Sequence, residues 1–199
     1  IGATSHVFLS GLAAYSLSKP YLLFRRSIMV MILITMYFNG GLVPSYLVLN
    51  SLGLVNNFLV FILPHFYSVG TIIVMRTFFT TLPVSLEESA KIDGASDIKV
   101  FLRIILPLSK PVLATMFLFN AVGHWNDWFA GELFIRDPKL LPLATIMMRI
   151  LFRSANLFQK ATLDASRPLV ASPTPEGIRN AAIIVSTIPI LLVYPFLQK

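Results

Sequence analysis

Long apolar stretches, each near the length one helix needs to cross a bilayer, decide what this chain can fold into. Five can be drawn, at about residues 1–18, 27–44, 57–82, 110–128 and 180–197. A crossing takes about 20 residues at 1.5 Å rise. Strand alternation is absent throughout, so helices are the spanning element, because in lipid each segment must satisfy its own backbone polar groups. Pro64 predicts a kink in the third stretch. Arg76, near the end of that stretch, can snorkel to the surface. The fifth stretch carries Pro189 and Pro195. The first is part of a span.

Composition agrees. Hydrophobic residues make up 56% of the 199 and charged residues 13%, against about 25% charged in ordinary soluble domains. Such a chain cannot cover itself with polar surface in water, and it reads as a polytopic membrane protein. Cysteine is absent, which excludes disulfides and thiolate metal sites. The net charge of +7 is scattered; no basic and aromatic stripe points to nucleic acid, and the charges read as flanks of membrane helices. His6 and His124 lack a carboxylate at metal-ligand spacing, so no metal is assigned. The methionines, Met147 and Met148 among them, read as gap-filling side chains. No basic leader or cleavage site precedes Ile1, and Gln198–Lys199 directly follow an apolar stretch. The expectation is a chain trimmed at its start and lacking a tail.

Between the stretches lie a polar hinge (19–26), a short interfacial helix (45–54) after the loosening Asn39-Gly40-Gly41, a polar segment (83–109) and a large loop with short helices (129–179). The hinge holds three Lys or Arg and residues 83–110 hold four, whereas 45–56 hold none. Short loops obey the positive-inside rule best, which puts the hinge and the 83–110 segment in the cytoplasm. The 129–179 loop, with seven basic residues against four acidic, then lies outside against the rule's trend.

Residues 83–107 read as two short helices on a corner. Ser85 and Glu88 have capping-box spacing, which starts a helix at Leu86. Gly94 stands where a left-handed residue ends it. Ser96 can cap a second helix, with Asp97 favourable in its first turn. Leu106-Pro107 terminates that one. Ala90, Ile92 and Ala95 give this elbow an exposed small and apolar face suited to a partner's groove; an ordinary solvated loop is the other reading.

Glu88-Ser89-Ala90, three residues, Gly94, nine residues, Ile104, one residue and Leu106-Pro107 resembles the EAA signature of ABC importer permeases, Glu-Ala-Ala-x3-Gly-x9-Ile-x-Leu-Pro. Ser89 in place of the first alanine is the one departure, and Asp93 and Ala95 fit the sugar-importer pattern. Over nearly its whole length, including 44–57 and 120–128, the chain is similar to the carbohydrate (MalG-like) permeases, in the branch for larger or modified oligosaccharides. The resemblance implies an all-α, type I importer bundle of about six helices, one N-terminal span and the final tail lying outside this sequence. It implies a multi-pass subunit of a bacterial cytoplasmic (inner) membrane that imports an oligosaccharide by alternating access. Its partners would be a second homologous permease, two ATPases, an extracytoplasmic solute-binding protein and membrane lipid. It also implies an ATPase-coupling set of Glu87, Glu88, Ser89, Ala90, Asp93, Gly94, Ala95, Ile104, Leu106 and Pro107. Within that set Glu88 caps the helix and meets basic groups of the ATPase, Ala90 allows close approach and Gly94 sets the corner. No Gly-x4-Gly-Lys-Ser/Thr sequence is present, so no cofactor is assigned to this chain, and ATP and Mg belong to the partner ATPases.

For the solute path, Asn120, His124, Trp125, Asn126 and Trp128 combine planar hydrogen-bonding groups with aromatic faces. The tryptophans equally suit an interfacial belt, and Asn120 equally suits interhelical bonding. His65 either lines the path or packs between helices. Arg136, Lys139, Arg149, Arg153 and Lys160 either face the binding protein or contact headgroups. Two rivals from other classes are an ion-gradient-driven secondary transporter, which needs carboxylates deep in a span, and a membrane enzyme using His124 and Asp127. Glu132 and Asp127 stand only at a membrane edge, and no nucleophile or metal set accompanies the second pair.

Overall fold

A computed structural model describes residues 1–38, 40–163 and 175–197, with side chains placed at 1–38, 40–156, 176–189 and 191. Helix follows helix, and no strand occurs among these residues: α1 (Gly2–Ser18), α2 (Arg25–Tyr37), α3 (Leu42–Ser51), α4 (Val69–Thr81), α5 (Val84–Ile92), α6 (Asp97–Val100), α7 (Leu106–Leu108), α8 (Lys110–Asn126), α9 (Phe129–Phe134), α10 (Leu143–Leu163) and α11 (Pro175–Leu197). Tight 3-10 turns stand at Phe58–Phe61, Leu63–His65 and Pro138–Leu140, and a π-helical turn, Phe101–Ile105, joins α6 to α7. The all-α expectation holds.

Several boundaries differ from the sequence reading. Among the described residues no single helix is long and apolar enough to cross a membrane alone. Three bent pairs are, by length and composition: α2 with α3, Phe58–His65 with α4, and Asp97–Leu108 with α8. The second stretch divides at Gly41, whose φ of +89° suits only glycine. Pro44 does not close that stretch but sits in the first turn of α3, where its missing N–H has no partner to lose. At Pro64 the chain does not kink within one helix; it forms a 3-10 turn and restarts at Val69. Residues 129–179 are not merely a loop, because α10 runs 21 residues within them. The last helix begins at Pro175 rather than at Asn180. Asn39 and Gln198–Lys199 lie outside the described residues.

The described residues gather into two compact units, 1–52 with 61–121 and 53–60 with 122–199. In the first, α1 packs along α4. Its buried residues Ala3, His6, Ser10, Ala14 and Leu17 recur three or four apart, and the small Ala3, Ser10 and Ala14 among them let backbones approach, the usual means of helix association where lipid competes for apolar contact. Tyr15 then meets Phe101 at 5.1 Å and Phe79 at 6.4 Å between ring centroids. Aromatic pairs of this kind add about 0.5–1.5 kcal/mol each beyond burial. Met75, Val100, Phe101 and Ile105 complete the core, so it ties α1 and α4 to the arm α6–α7.

Some polar groups buried in this unit are partnered, whereas the hydroxyls of Ser10, Tyr15 and Ser109 are buried without a hydrogen-bond partner. His6 donates from Nδ1 to the His65 carbonyl at 2.6 Å, the carbonyl having no proton to give, and its Nε2 accepts from the Thr71 hydroxyl at 3.1 Å. Arg76 is half-buried. Its Nε donates at 3.0 Å to the Leu17 carbonyl, one of the four that the C-terminus of α1 leaves open.

In the second unit, Asn56, in a left-handed conformation at φ +61°, holds the chain after α9. Its Oδ1 accepts from the backbone N–H groups of Arg136 and Asp137 at 3.0 and 2.8 Å. Thr145 donates to the Trp128 carbonyl at 2.9 Å. Gly131 passes so close that an added Cβ would lie 2.1 Å from Thr145 Oγ1. α10 and α11 pack against each other.

Candidate functional site: a helical elbow and a tryptophan-lined cavity

The corner at Gly94 forms as its sequence predicts. The N–H of Gly94 bonds to the Lys91 carbonyl at 3.0 Å and that of Ala95 to the Ala90 carbonyl at 2.9 Å, a Schellman closure that satisfies two carbonyls at the end of α5. Gly94 sits at φ +76°, and an added Cβ would meet nothing within 4 Å. Conformation, not space, therefore demands glycine here. Beyond the corner Ser96 accepts from the Lys99 N–H at 3.4 Å and caps α6.

Two expectations about the elbow are corrected. α5 starts at Val84, not at Leu86, and no side chain caps it. Pro83, with φ preset at −59°, opens the turn two residues early, and its carbonyl takes the Leu86 N–H. That leaves Ser85 inside the helix and Glu88 exposed, without the capping role. Nor does Leu106-Pro107 end the second arm. The helix continues to Leu108 and turns by 82° into α8 at Ser109. The wide turn just before, in which the Leu106 N–H reaches back to the Phe101 carbonyl, reorganises the ladder where Pro107 has no proton to donate.

Exposure sorts the predicted residues into two faces. Glu88, Ser89, Asp93, Gly94 and Pro107 are exposed, whereas Glu87, Ala90, Ala95, Ile104 and Leu106 are half-buried. Of the three residues expected to make an outward apolar face, Ala90 and Ala95 pack on the core and Ile92 alone points out, 87% exposed. Val84 and Leu86 extend the exposed apolar surface of α5.

Glu87 turns inward to an ion pair with Lys19, which itself lies over the Tyr15 ring at 4.0 Å. A second set closes beside it. The Tyr21 hydroxyl donates to Asp97 Oδ1 at 3.0 Å, and Lys91 Nζ reaches both that hydroxyl at 3.0 Å and Asp97 at 2.9 Å. The Tyr21 hydroxyl first, and Asp97 after it, hold the Lys91 ammonium above the usual lysine range. Lys91 first holds the Asp97 carboxyl below the usual carboxylate range, against the opposing pull of burial. Lys19, Tyr21 and Lys91 were not singled out from sequence, and Asp97 was read only as a first-turn residue of the second short helix. The hinge-to-elbow partners lie 68 to 76 residues apart, and the one signal available was that hinge and elbow share a charge-predicted side.

The second predicted cluster divides. Asn120 donates from Nδ2 to the Met116 carbonyl at 2.8 Å, within α8, and belongs to the first unit. Trp125, Asn126 and Trp128, in the second unit, line a cavity of about 320 Å3. Arg179 and Ser186 from α11 and Met147 from α10 line it too. Trp125 Nε1 donates to the Ser186 carbonyl at 3.1 Å, and Trp128 meets Phe152 edge-on at 6.3 Å. His124 is half-buried but does not line the cavity, and His65 is exposed, serving His6 through its carbonyl. Arg179, absent from the predicted set, adds a cation to the aromatic walls.

The carboxylates on which the rival readings turned are engaged. Asp127 Oδ1 accepts from the Ala130 N–H at 3.1 Å, and Glu132 pairs with Arg149 at 2.5 Å. Arg136, Lys139 and Arg153 stand with Arg149 on the second unit, and the Lys160 side chain lies outside the described residues.

Residues 7–199 match the family described as "Binding-protein-dependent transport system inner membrane component". The chain is 42% identical over its full length to the polygalacturonan/rhamnogalacturonan transport system permease protein YtcP of Bacillus subtilis, covering 68% of that protein. It is also 42% identical to Protein LplC of Bacillus subtilis, covering 66% of it. At 30% identity it is similar to the melibiose/raffinose/stachyose import permease protein MelC of Bacillus subtilis, over 82% of this chain and 62% of that one. Among solved structures, a bacterial ABC transporter involved in the import of the acidic polysaccharide alginate matches 98% of this chain and 68% of its own, with a TM-score of 0.81 at 32% identity. The chain thus spans about two thirds of the length of these relatives.

Proposed function

The chain belongs to the binding-protein-dependent transport system inner membrane components, a sugar ABC transporter permease and not an enzyme, and from that premise we propose that it carries an acidic oligosaccharide inward and takes its drive through α5. The proposed assembly contains a second related permease, two ATPases that hold ATP and Mg, and an extracytoplasmic binding protein. It sits in the cytoplasmic membrane of a bacterium, with residues 83–109 on the cytoplasmic side and 129–179 outside.

One observation carries the coupling role. At the EAA spacing stands a short helix whose outer face is exposed, with Ile92 at its tip, on a glycine corner whose other arm is built into the α1–α4 core. An apolar tip ringed by Glu88, Lys91 and Asp93 suits a groove in a soluble partner. Movement of that groove would be delivered to the transmembrane helices through the core. Swinging the pathway from 1:99 to 99:1 between its two openings takes about 5.5 kcal/mol of differential binding, which nucleotide and a docked binding protein would share.

The substrate class is supported by the tryptophan faces, Asn126 and Arg179 around one cavity, since a uronate offers a ring face to aromatics and a carboxylate to a guanidinium. The polygalacturonan/rhamnogalacturonan and the acidic polysaccharide alginate named for similar proteins lean the same way.

The test is a cysteine at Ile92 in the complete transporter. Cross-linking to the ATPase in the resting complex, together with loss of ATPase co-purification in Ile92→Asp, is expected. An Ile92→Asp complex that assembles and transports like wild type removes the docking role.

A further inference from the structure

The hinge between α1 and α2 is joined to the elbow by groups that no part of the EAA pattern requires. Lys19 is 7% exposed and holds Glu87. A charge is driven under cover only where it is paired, because an unpaired buried ion is strongly unfavourable. Lys19 is also the residue that follows the last residue of α1, Ser18, and one position before that helix end the Leu17 carbonyl is gripped by Arg76 of α4. Two residues on, Tyr21 ties Lys91 of α5 to Asp97 of α6. Thus the outer arm of the elbow, which among the described residues meets the core through the small, half-buried Ala90, has a polar fastening directly at the C-terminus of α1.

We propose that Lys19 and Tyr21 are positioning residues for transport: the Lys19–Glu87 pair is the joint through which displacement of α5 reaches α1, and Tyr21 holds α5 and α6 at a fixed angle while it does so. This rests on α5 being where the ATPase engages. Without the joint, α5 can still dock, but it pivots about Gly94, the free-space left-handed corner, and its travel is lost before it reaches α1. Glu87 accordingly faces α1 and not the ATPase, while the exposed Glu88 beside it is left for the partner.

The experiment uses the complete transporter in proteoliposomes with its binding protein, reading ATP hydrolysed per solute taken up alongside the Ile92 cysteine cross-link. Lys19→Gln is expected to keep the cross-link yet raise ATP consumed per solute at least tenfold. Lys19→Arg is expected to stay within about twofold of wild type. The reversal Lys19→Glu with Glu87→Lys is expected to recover most of what Lys19→Glu alone loses, which a merely structural lysine would not produce. Tyr21→Phe, a mild change that keeps the ring and removes the hydroxyl, is expected to raise the ratio about threefold, and it serves if Lys19→Gln does not assemble. A wild-type ratio in Lys19→Gln, a reversal no better than its single parent, or an unchanged ratio in Tyr21→Phe overturns the proposal. Absence of the cross-link in the wild-type complex overturns the docking role instead, since the ratio and its rescue are read independently of it.

Discussion

Replacing Gly94 separates the corner's conformation from its surroundings. At φ +76° with nothing within 4 Å of a built Cβ, Gly94→Ala introduces no clash, so the whole effect is the left-handed penalty, about 1–2 kcal/mol. That raises the fraction of time the corner is open by roughly 5–30-fold. Gly94→Pro does more. Its ring fixes φ near −65° and removes the N–H that bonds to Lys91, so the bond from Ala95 to Ala90 is lost with it. Two hydrogen bonds at about 1 kcal/mol each add to the conformational term, and no Schellman corner remains. Hydrogen exchange over residues 84–97 in the assembled transporter, read with ATP-driven uptake, is the assay. The expected order of protection is wild type, then Gly94→Ala, then Gly94→Pro. Uptake should fall in the same order while membrane insertion stays intact, because the α1–α4 core does not include Gly94. Equal protection in all three proteins, or wild-type uptake in Gly94→Pro, refutes the reasoning.

Arg179→Gln, by removing a charged donor worth about 1.5–3 kcal/mol, should raise half-saturation for a uronic-acid oligosaccharide by roughly ten- to a hundredfold and leave a neutral one unchanged; a uniform effect on both argues against a carboxylate at the cavity. Gly131→Ala places a Cβ 2.1 Å from Thr145 Oγ1 and 2.9 Å from Pro142, so overpacking of about 1–3 kcal/mol should appear as a lower melting temperature of the purified transporter, whereas Gly123→Ala, in open space, should not lower it. The Asp97 carboxyl is depressed, so its contribution is whole above the ordinary value of about 3.9 and is lost as pH falls through its lower folded value. The Lys91 ammonium is raised, so its contribution is whole below about 10.4 and is lost only as pH rises through its higher folded value. Exchange protection of residues 84–97, corrected for intrinsic rate, should therefore stay flat between about pH 4 and pH 10; a step near neutrality would place another titrating group beside Tyr21, Lys91 and Asp97.

What could be read from sequence was what neighbours decide. Gly94 and Ser96 are local devices whose partners lie within five residues, and both form as their residue types demand. The capping box fails for an equally local reason, since Pro83 begins the helix before Ser85 is reached. The long α10 was obscured because mixed charges, prolines and apolar residues gave 129–179 the look of a large loop with short helices, although the pairing of Arg149 with Glu132 gives one of those charges a place on a helix. Lys19 with Glu87 and Tyr21 with Asp97 were out of reach, because an ion pair and a hydroxyl–carboxylate hydrogen bond between residues 68 and 76 apart carry no spacing rule. Arg179 was hidden similarly: only when α11 lies beside α10 does its position at a cavity wall emerge.

The two arms of the elbow differ in the physics that anchors them, and the difference bears on what each can do. The arm α6–α7 is held by Val100, Phe101 and Ile105 in close contact with Tyr15, Met75 and Phe79. Packed side chains of this density transmit displacement stiffly and resist sliding. The arm α5 instead has Ala90 against the core and depends on ion pairs and a tyrosine hydroxyl. Polar fastenings set direction and register, but they exchange partners more readily than a close-packed core rearranges. A helix that must meet a moving partner, yet keep a defined angle to the membrane helices, needs the second kind of anchoring outside and the first kind inside. The order along this chain, exposed α5, glycine corner, packed α6–α7 and the bend at Ser109 into α8, places them in that sequence.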